Sequence, residues 1–348
     1  MRIAINGFGR IGRGVLRALY ESGYRKHIEI VAINEPADFK SIVHLTKYDS
    51  VHGRFPGVVE GRETDARGTL NIQFGDHQDA MAVFHETDLS AVDWDALQID
   101  VLLECSGSID VASVQAVLDQ QPTMKALFSR PMLEDEVDVT VVCGVNQAML
   151  TPQQRKISAG SCTSNAIVPV MQAIDDAFGI EYATSTTMHS LMNDQPVLDA
   201  YHNTNLRKTR AASHSMIPVN TELAKGVERI LPHLRGRVSA QAIRVPTLNV
   251  SAIDLSVVLR NNASVEQINH CLLNASRTHA QGIIDVSDDA LASCDFNHRI
   301  ESAIIDVSQT RMSGGNLLKV WIWFDNEWAY AHRMLDLTHA MTALSSIP

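Results

Sequence analysis

Paired cysteines, long apolar runs and surplus positive charge are all missing from this chain. Its five cysteines, at positions 105, 143, 162, 271 and 294, form no CxxC pair and no metal-finger spacing. An odd, scattered set does not build a disulfide framework, so a reducing compartment is expected and no metal site is. No apolar run approaches the ~20 residues of a membrane-spanning helix. The opening MRIAINGFGR is an apolar strand broken by two glycines rather than a secretory core, so the expected location is the cytoplasm. With 29 Lys and Arg against 40 Asp and Glu, the net charge is −11. That balance disfavours a nucleic-acid backbone or an acidic membrane surface as the main partner.

What is present is enough for a large core. At 348 residues and 45% hydrophobic, the length suits about two domains. Short apolar runs (RIAIN, IEIVAIN, DVLLECSG, VTVVCGVN) alternate with helical patterns through the first third, as in a parallel sheet covered by helices. After residue 180 the runs become longer and strand-like: EYATSTTMHS, AQAIRVPTLNVSAIDLSVVL and NLLKVWIWF. Few helices intervene, which predicts a mostly antiparallel sheet. The expected class is α/β, a Rossmann doubly wound parallel sheet plus an α+β catalytic domain with a mostly antiparallel sheet. No repeat or low-complexity linker marks the border. The switch of element type places a nucleotide-binding domain at 1–161 and a catalytic, substrate-binding domain at 162–326. A closing helix at 327–348, with Trp328, Leu335 and Met341 at near-helical spacing, is expected to pack back on the first domain.

The segment AINGFGRIGRGVLRAL sets Gly7, Gly9 and Gly12 in G-x-G-x-x-G spacing, after a strand and at the opening of a helix. In that context the first glycine permits a tight turn, the second lets the backbone approach a pyrophosphate, and the third allows close helix packing. The helix N-terminus offers N–H groups and partial positive charge to the phosphates. Glu35, twenty-three residues past Gly12 and after the second strand, could accept hydrogen bonds from adenosine ribose hydroxyls and repel a 2′-phosphate. That favours NAD over NADP, although a solvated loop carboxylate is the plainer alternative.

Cys162 opens the helical pattern CTSNAIVPVMQAIDDAFG, which Gly179 could end as a left-handed cap. Pro169, beyond the first turn, predicts a kink. A helix N-terminus favours thiolate over thiol, and a nearby imidazolium would favour it further. His189, twenty-seven residues on in TTMHSL, is a candidate partner. Spacing alone leaves both residues open to packing roles, since Cys/His pairs are spatial neighbours.

The motifs INGFGRIGR, YDSVHGRF, SCTSN, TTMHS, RVPTLNV and DNEWAY, in this order over nearly the whole chain, resemble the glyceraldehyde-3-phosphate dehydrogenase family. Within it, HSLMNDQPVLDAYH and LRKTRAASHSMIPV look most like the D-erythrose-4-phosphate dehydrogenase branch. The resemblance implies that Cys162 thiolate attacks an aldehyde and that His189 acts as base. The Cys162 N–H and the His189 ring would serve the oxyanion. It implies main-chain cofactor contacts at Arg10 and Ile11, and a carboxamide contact at Asn326, whose other reading is an N-cap of the last helix. Substrate or phosphate contacts are implied at Ser161, Thr163, Lys208, Thr221 and Arg244, the last with a structural ion pair as its alternative. A homotetramer is implied too, through the segment from Met192 to Ser215.

Three readings follow from the departures. Glu222 stands where the glycolytic enzyme has glycine, beside an entering phosphate it would repel. Met192 stands where that enzyme has a phosphate-binding threonine. Both favour water as nucleophile and erythrose 4-phosphate as substrate, with 4-phosphoerythronate on the way to pyridoxal phosphate as product. The phosphorylating glycolytic activity is the first alternative. An NAD-binding regulatory paralogue is the second, because Ala82, Ala159 and Lys208 replace an expected basic residue, asparagine and arginine; Ala329 stands where the family has glycine. Loss of the asparagine at 159 could loosen the turn that aims Cys162.

Overall fold

The computed structural model describes residues 1–64, 67–202 and 205–345; residues 346–348 of the expected terminal helix lie outside them. The chain forms two compact units. One comprises Met1–Val141, Ala148–Gly160 and the chain from Ala331 onward. The other comprises Val142–Gln147 and Ser161–Tyr330.

The first unit is built on a nine-stranded sheet. Its order is Val139–Thr140, Lys156–Ser158, Lys125–Phe128, Val101–Glu104, Arg2–Asn6, Glu29–Asn34, His77–Phe84, Gly68–Phe74, Val58–Glu63. The first seven run parallel, and the last two close the edge as antiparallel neighbours. Parallel strands covered on both faces read as continuous apolar runs, and Ile3, Ala4 and Ile5 are fully buried. The helix Arg10–Glu21 buries Val15, Leu16, Ala18 and Leu19. Val114, Val117 and Leu118 of the helix Val111–Gln120 join Ala4, Ala32, Leu102 and Phe128 in one cluster. Arg2–Asn6 lies between the second strand in chain order and the much later Val101–Glu104, so strand order reverses where the glycine turn begins. In open α/β sheets this reversal is where ligands bind. From the closing helix Trp328–Ser345, His332 bonds Ser22 Oγ at 2.7 Å, and Asp336 accepts from Tyr24.

The second unit carries a sheet ordered Ile217–Val219, Val238–Arg244, Ile180–His189, Ser251–Leu259, Leu317–Phe324, Ala303–Asp306, Ile284–Ser287, with Arg311–Ser313 also on Leu317–Phe324. Among the described residues five of its seven ladders are antiparallel. The run that reads as one strand in sequence is two, Val238–Arg244 and Ser251–Leu259, separated at Pro246. Against this sheet lies the helix Cys162–Phe178, burying Ala166, Ile167, Val170, Met171 and Ile174. It is a single element through Pro169. Gly179 ends it at φ +71° and ψ 138°, so the φ is positive as glycine allows, but the expected left-handed cap is replaced by an extended turn into the next strand.

Candidate active site

The helix holding Cys162 starts abruptly because its cap is reciprocal. Ser161, extended at φ −114° and ψ 163°, accepts the Ser164 N–H through Oγ at 3.0 Å, while Ser164 Oγ accepts the Ser161 N–H at 2.8 Å. The asparagine missing at 159 is thus not what fixes Cys162: two serines cap the turn, and Asn165 adds Nδ2 to the Ser161 carbonyl at 2.9 Å. Cys162 is the first helical residue, and its Sγ lies 3.8 Å from Thr163 Oγ1.

The strand Ile180–His189 ends beside it, with His189 Nε2 at 3.7 Å from Cys162 Sγ. His189 Nδ1 lies 2.9 Å from the Ser190 carbonyl. A carbonyl only accepts, so Nδ1 carries the proton and Nε2 presents its lone pair to the sulfur. The ring is 8% exposed and meets Phe324 edge-on. Burial, then the charge of Arg244, lowers the His189 pKa to about 4. Burial pushes the Cys162 thiol up, against hydrogen bonding from Thr163 and the pull of Arg244. Desolvation thus disfavours both the thiolate and the imidazolium, opposing the helix N-terminus.

Arg244 is the direct ladder partner of His189. Its Nε is buried without a hydrogen-bond partner, and among the described residues its guanidinium forms no ion pair. Burial, opposed by Asp194 and Cys162, lowers its pKa. A two-pronged cation left unpaired next to a nucleophile is suited to an anionic group of a ligand. Lys208 differs, being bound to Asp194; Asp194 in turn acts electrostatically on Arg244 and His189. Thr221 Oγ1 accepts the Leu223 N–H at 3.2 Å. The Glu222 carboxylate is 70% exposed and pairs with Lys225 at 2.6 Å. The charge that sequence sets beside Thr221 is thus balanced locally, which weakens its use against an entering phosphate. The structure brings Cys162, Thr163, His189 and Arg244 together; no hydrogen bond or ion pair ties Lys208, Thr221 or Glu222 to Cys162 or His189. Among the described residues no group of three or more His, Cys, Asp or Glu could hold a metal ion.

Residues 1–112 match the model of the glyceraldehyde 3-phosphate dehydrogenase NAD binding domain, and residues 161–326 match that of the C-terminal domain. The chain belongs to the glyceraldehyde-3-phosphate dehydrogenase family. It is an NAD-dependent oxidoreductase.

The first unit's own residues fit the cofactor of this family. Gly7 has φ +87°, and a Cβ there would stand 2.3 Å from Ser106 Cα; one on Gly12 would stand 2.3 Å from the Gly7 carbonyl. A Cβ on Gly9, by contrast, would meet nothing within 4 Å, so the turn leaves open space above its middle glycine. No side chain caps the helix that follows. Its first internal bond runs from the Arg13 N–H to the Gly9 carbonyl, so the N–H groups of Ile11 and Gly12 precede any carbonyl they could reach within the helix. The Arg10 side chain pairs with Asp49, leaving a main-chain role as the one compatible with the turn. Glu35 Oε2 accepts the Phe8 N–H at 2.7 Å and Oε1 the Ala37 N–H at 3.2 Å. A carboxylate offers about four acceptor sites, so ribose hydroxyls can still be held. Beneath the turn, Asn6 joins Glu104 and Asn34, whose Nδ2 donates to Asn6 Oδ1 at 2.8 Å.

Ser190 and Ser251 were invisible as site residues. Both hydroxyls donate to Asn326 Oδ1, at 2.9 and 2.8 Å. Only strand order, which sets Ile180–His189 beside Ser251–Leu259 and that beside Leu317–Phe324, could have found them.

Proposed function

We propose that the protein oxidises a phosphorylated aldose with NAD through a thioester on Cys162, converting D-erythrose 4-phosphate to 4-phosphoerythronate, a precursor of pyridoxal phosphate. The observation that carries this reading is the 3.7 Å contact of Cys162 Sγ with the unprotonated nitrogen of His189, beside the unpaired Arg244 guanidinium. As Sγ bonds the aldehyde carbon, its proton passes to His189 Nε2, so no free thiolate is needed at rest. The oxyanion meets the Cys162 N–H and the imidazolium just formed. NAD, when bound, supplies the two-electron oxidant that turns the hemithioacetal carbon into a thioester. His189 then releases the thiol's proton to solvent; water attacks the thioester as Nε2 takes its proton, and the acid leaves as that proton restores the Cys162 thiol. Arg244 holds the substrate phosphate; Ser161, Thr163, Lys208 and Thr221 line the same reading from the family resemblance.

Residues 1–161 with the helix from 327 are assigned to NAD and residues 162–326 to substrate chemistry. Met192, Val197, Leu198, Tyr201 and Leu206 are all exposed along the segment that the resemblance assigns to subunit contact, which supports a homotetramer; its residues 203–204 lie outside the described ones. No helix among the described residues is long and apolar enough to cross a membrane, in keeping with a cytoplasmic enzyme.

A second reading, phosphorylating oxidation of glyceraldehyde 3-phosphate, gains from the Glu222–Lys225 pair. NADH formation with each aldehyde, with and without inorganic phosphate, decides between them. Faster turnover of erythrose 4-phosphate without phosphate is expected; strict phosphate dependence with preference for the triose would overturn the proposal. Rates no higher with either aldehyde than for the Cys162→Ser variant would instead favour the regulatory paralogue.

A further inference from the structure

We infer that Ser190 and Ser251 are positioning residues that lock the Asn326 amide in one orientation and tie it to the catalytic histidine. The inference rests on the reading that Asn326 grips the carboxamide of the cofactor. The direction of the lock follows from the backbone. The Ser190 N–H donates to Ser251 Oγ at 3.1 Å, which directs the single Ser251 proton elsewhere, and its partner is Asn326 at 2.8 Å. Ser190 Oγ reaches the same atom at 2.9 Å. With two hydroxyl donors converging, that atom must be the amide oxygen. A flipped amide would donate to both hydroxyls and leave their two protons without an acceptor among the described residues. Both serines are essentially buried, at 0% and 1% exposure, so water does not replace a lost donor, and Nδ2 is left as the amide's donor to an acceptor on a ligand.

Ser190 serves a second group. Its carbonyl accepts the His189 Nδ1 proton, which fixes the tautomer that turns Nε2 toward Cys162. One residue thus sets the base through its main chain and the amide through its side chain. Val250, just before Ser251, is a β-branched residue at φ +64°, a strained conformation kept only where the surroundings fix it.

The test measures, in the full-length enzyme, the NAD Kd, kcat, and the facial purity of deuterium transfer from the 1-deuterated aldehyde, for Ser190→Ala, Ser251→Ala and Asn326→Ala. Each serine variant is expected to weaken NAD about 3- to 10-fold and to lower facial purity, with alkylation of Cys162 in the apoenzyme unchanged within about twofold. Asn326→Ala should be at least as severe, and adding Ser190→Ala to it should have little further effect. If Asn326→Ala matters and the serine variants do not, the lock is wrong and the reading stands. If Asn326→Ala itself leaves Kd and facial purity intact, the reading fails. Should one serine variant not fold, the other carries the test through its own hydroxyl.

Discussion

Replacing His189 by Gln removes the base that lies 3.7 Å from the nucleophile while keeping a side chain of similar size. The expected loss follows from the two titrations. With a pKa near 4, only about one His189 in a thousand is protonated at pH 7, so the base is fully available. Burial raises the Cys162 thiol above its ordinary value, which disfavours the thiolate at that pH. Wild type, taking the proton during attack, should therefore show kcat/KM nearly flat from about pH 6 to 8. The His189→Gln variant must wait for the thiolate. It should fall about 10²- to 10⁴-fold at pH 7 and recover close to tenfold per pH unit between pH 7 and 9. Initial rates of NADH absorbance at saturating NAD, across that range, provide the assay. A variant keeping more than about a tenth of wild-type kcat/KM, or a pH profile as flat as the parent, would refute the assignment of His189 as base.

Two further outcomes separate parts of the account. Gly7→Ala puts a Cβ 2.3 Å from backbone at φ +87° and should destabilise the apoprotein by roughly 3 kcal/mol or more, lowering its melting temperature by several degrees. Gly9→Ala meets nothing within 4 Å, so it should spare the apoprotein within about 1 kcal/mol yet weaken NAD at least tenfold; equal effects in melting and NAD titration would contradict the roles given to the turn. Arg244→Lys keeps charge but loses the fork, and should raise KM for the phosphorylated aldehyde about tenfold or more while hardly changing turnover of the unphosphorylated aldehyde; a like loss with both would show that Arg244 does not hold the phosphate.

Legibility in the sequence tracked how local the signal is. The glycine turn reads from sixteen residues because strand, turn and helix are contiguous, and the apolar runs of the first unit announce a parallel sheet for the same reason. Cys162 and His189 are joined through the end of a strand and the start of a helix, so neither spacing nor composition reveals their 3.7 Å contact; the motifs did. The helix terminus that favours a thiolate is visible in sequence, whereas the desolvation that opposes it is not. Glu222 looked like a charge aimed at a pocket, yet Lys225, one helical turn on, claims it. Gly179 looked like an ordinary cap, but the chain leaves it straight into a strand. Ser190 and Ser251 are sixty-one residues apart and meet Asn326 only through the order of three strands.

The most direct measurement is to mix the enzyme with NAD and erythrose 4-phosphate, quench in acid within the first turnover, and map the peptides by mass. The account requires a 4-phosphoerythronyl group on Cys162, formed in step with the NADH burst and absent from Cys162→Ser. A full burst of NADH with Cys162 unmodified, or with the acyl group on another cysteine, would contradict it.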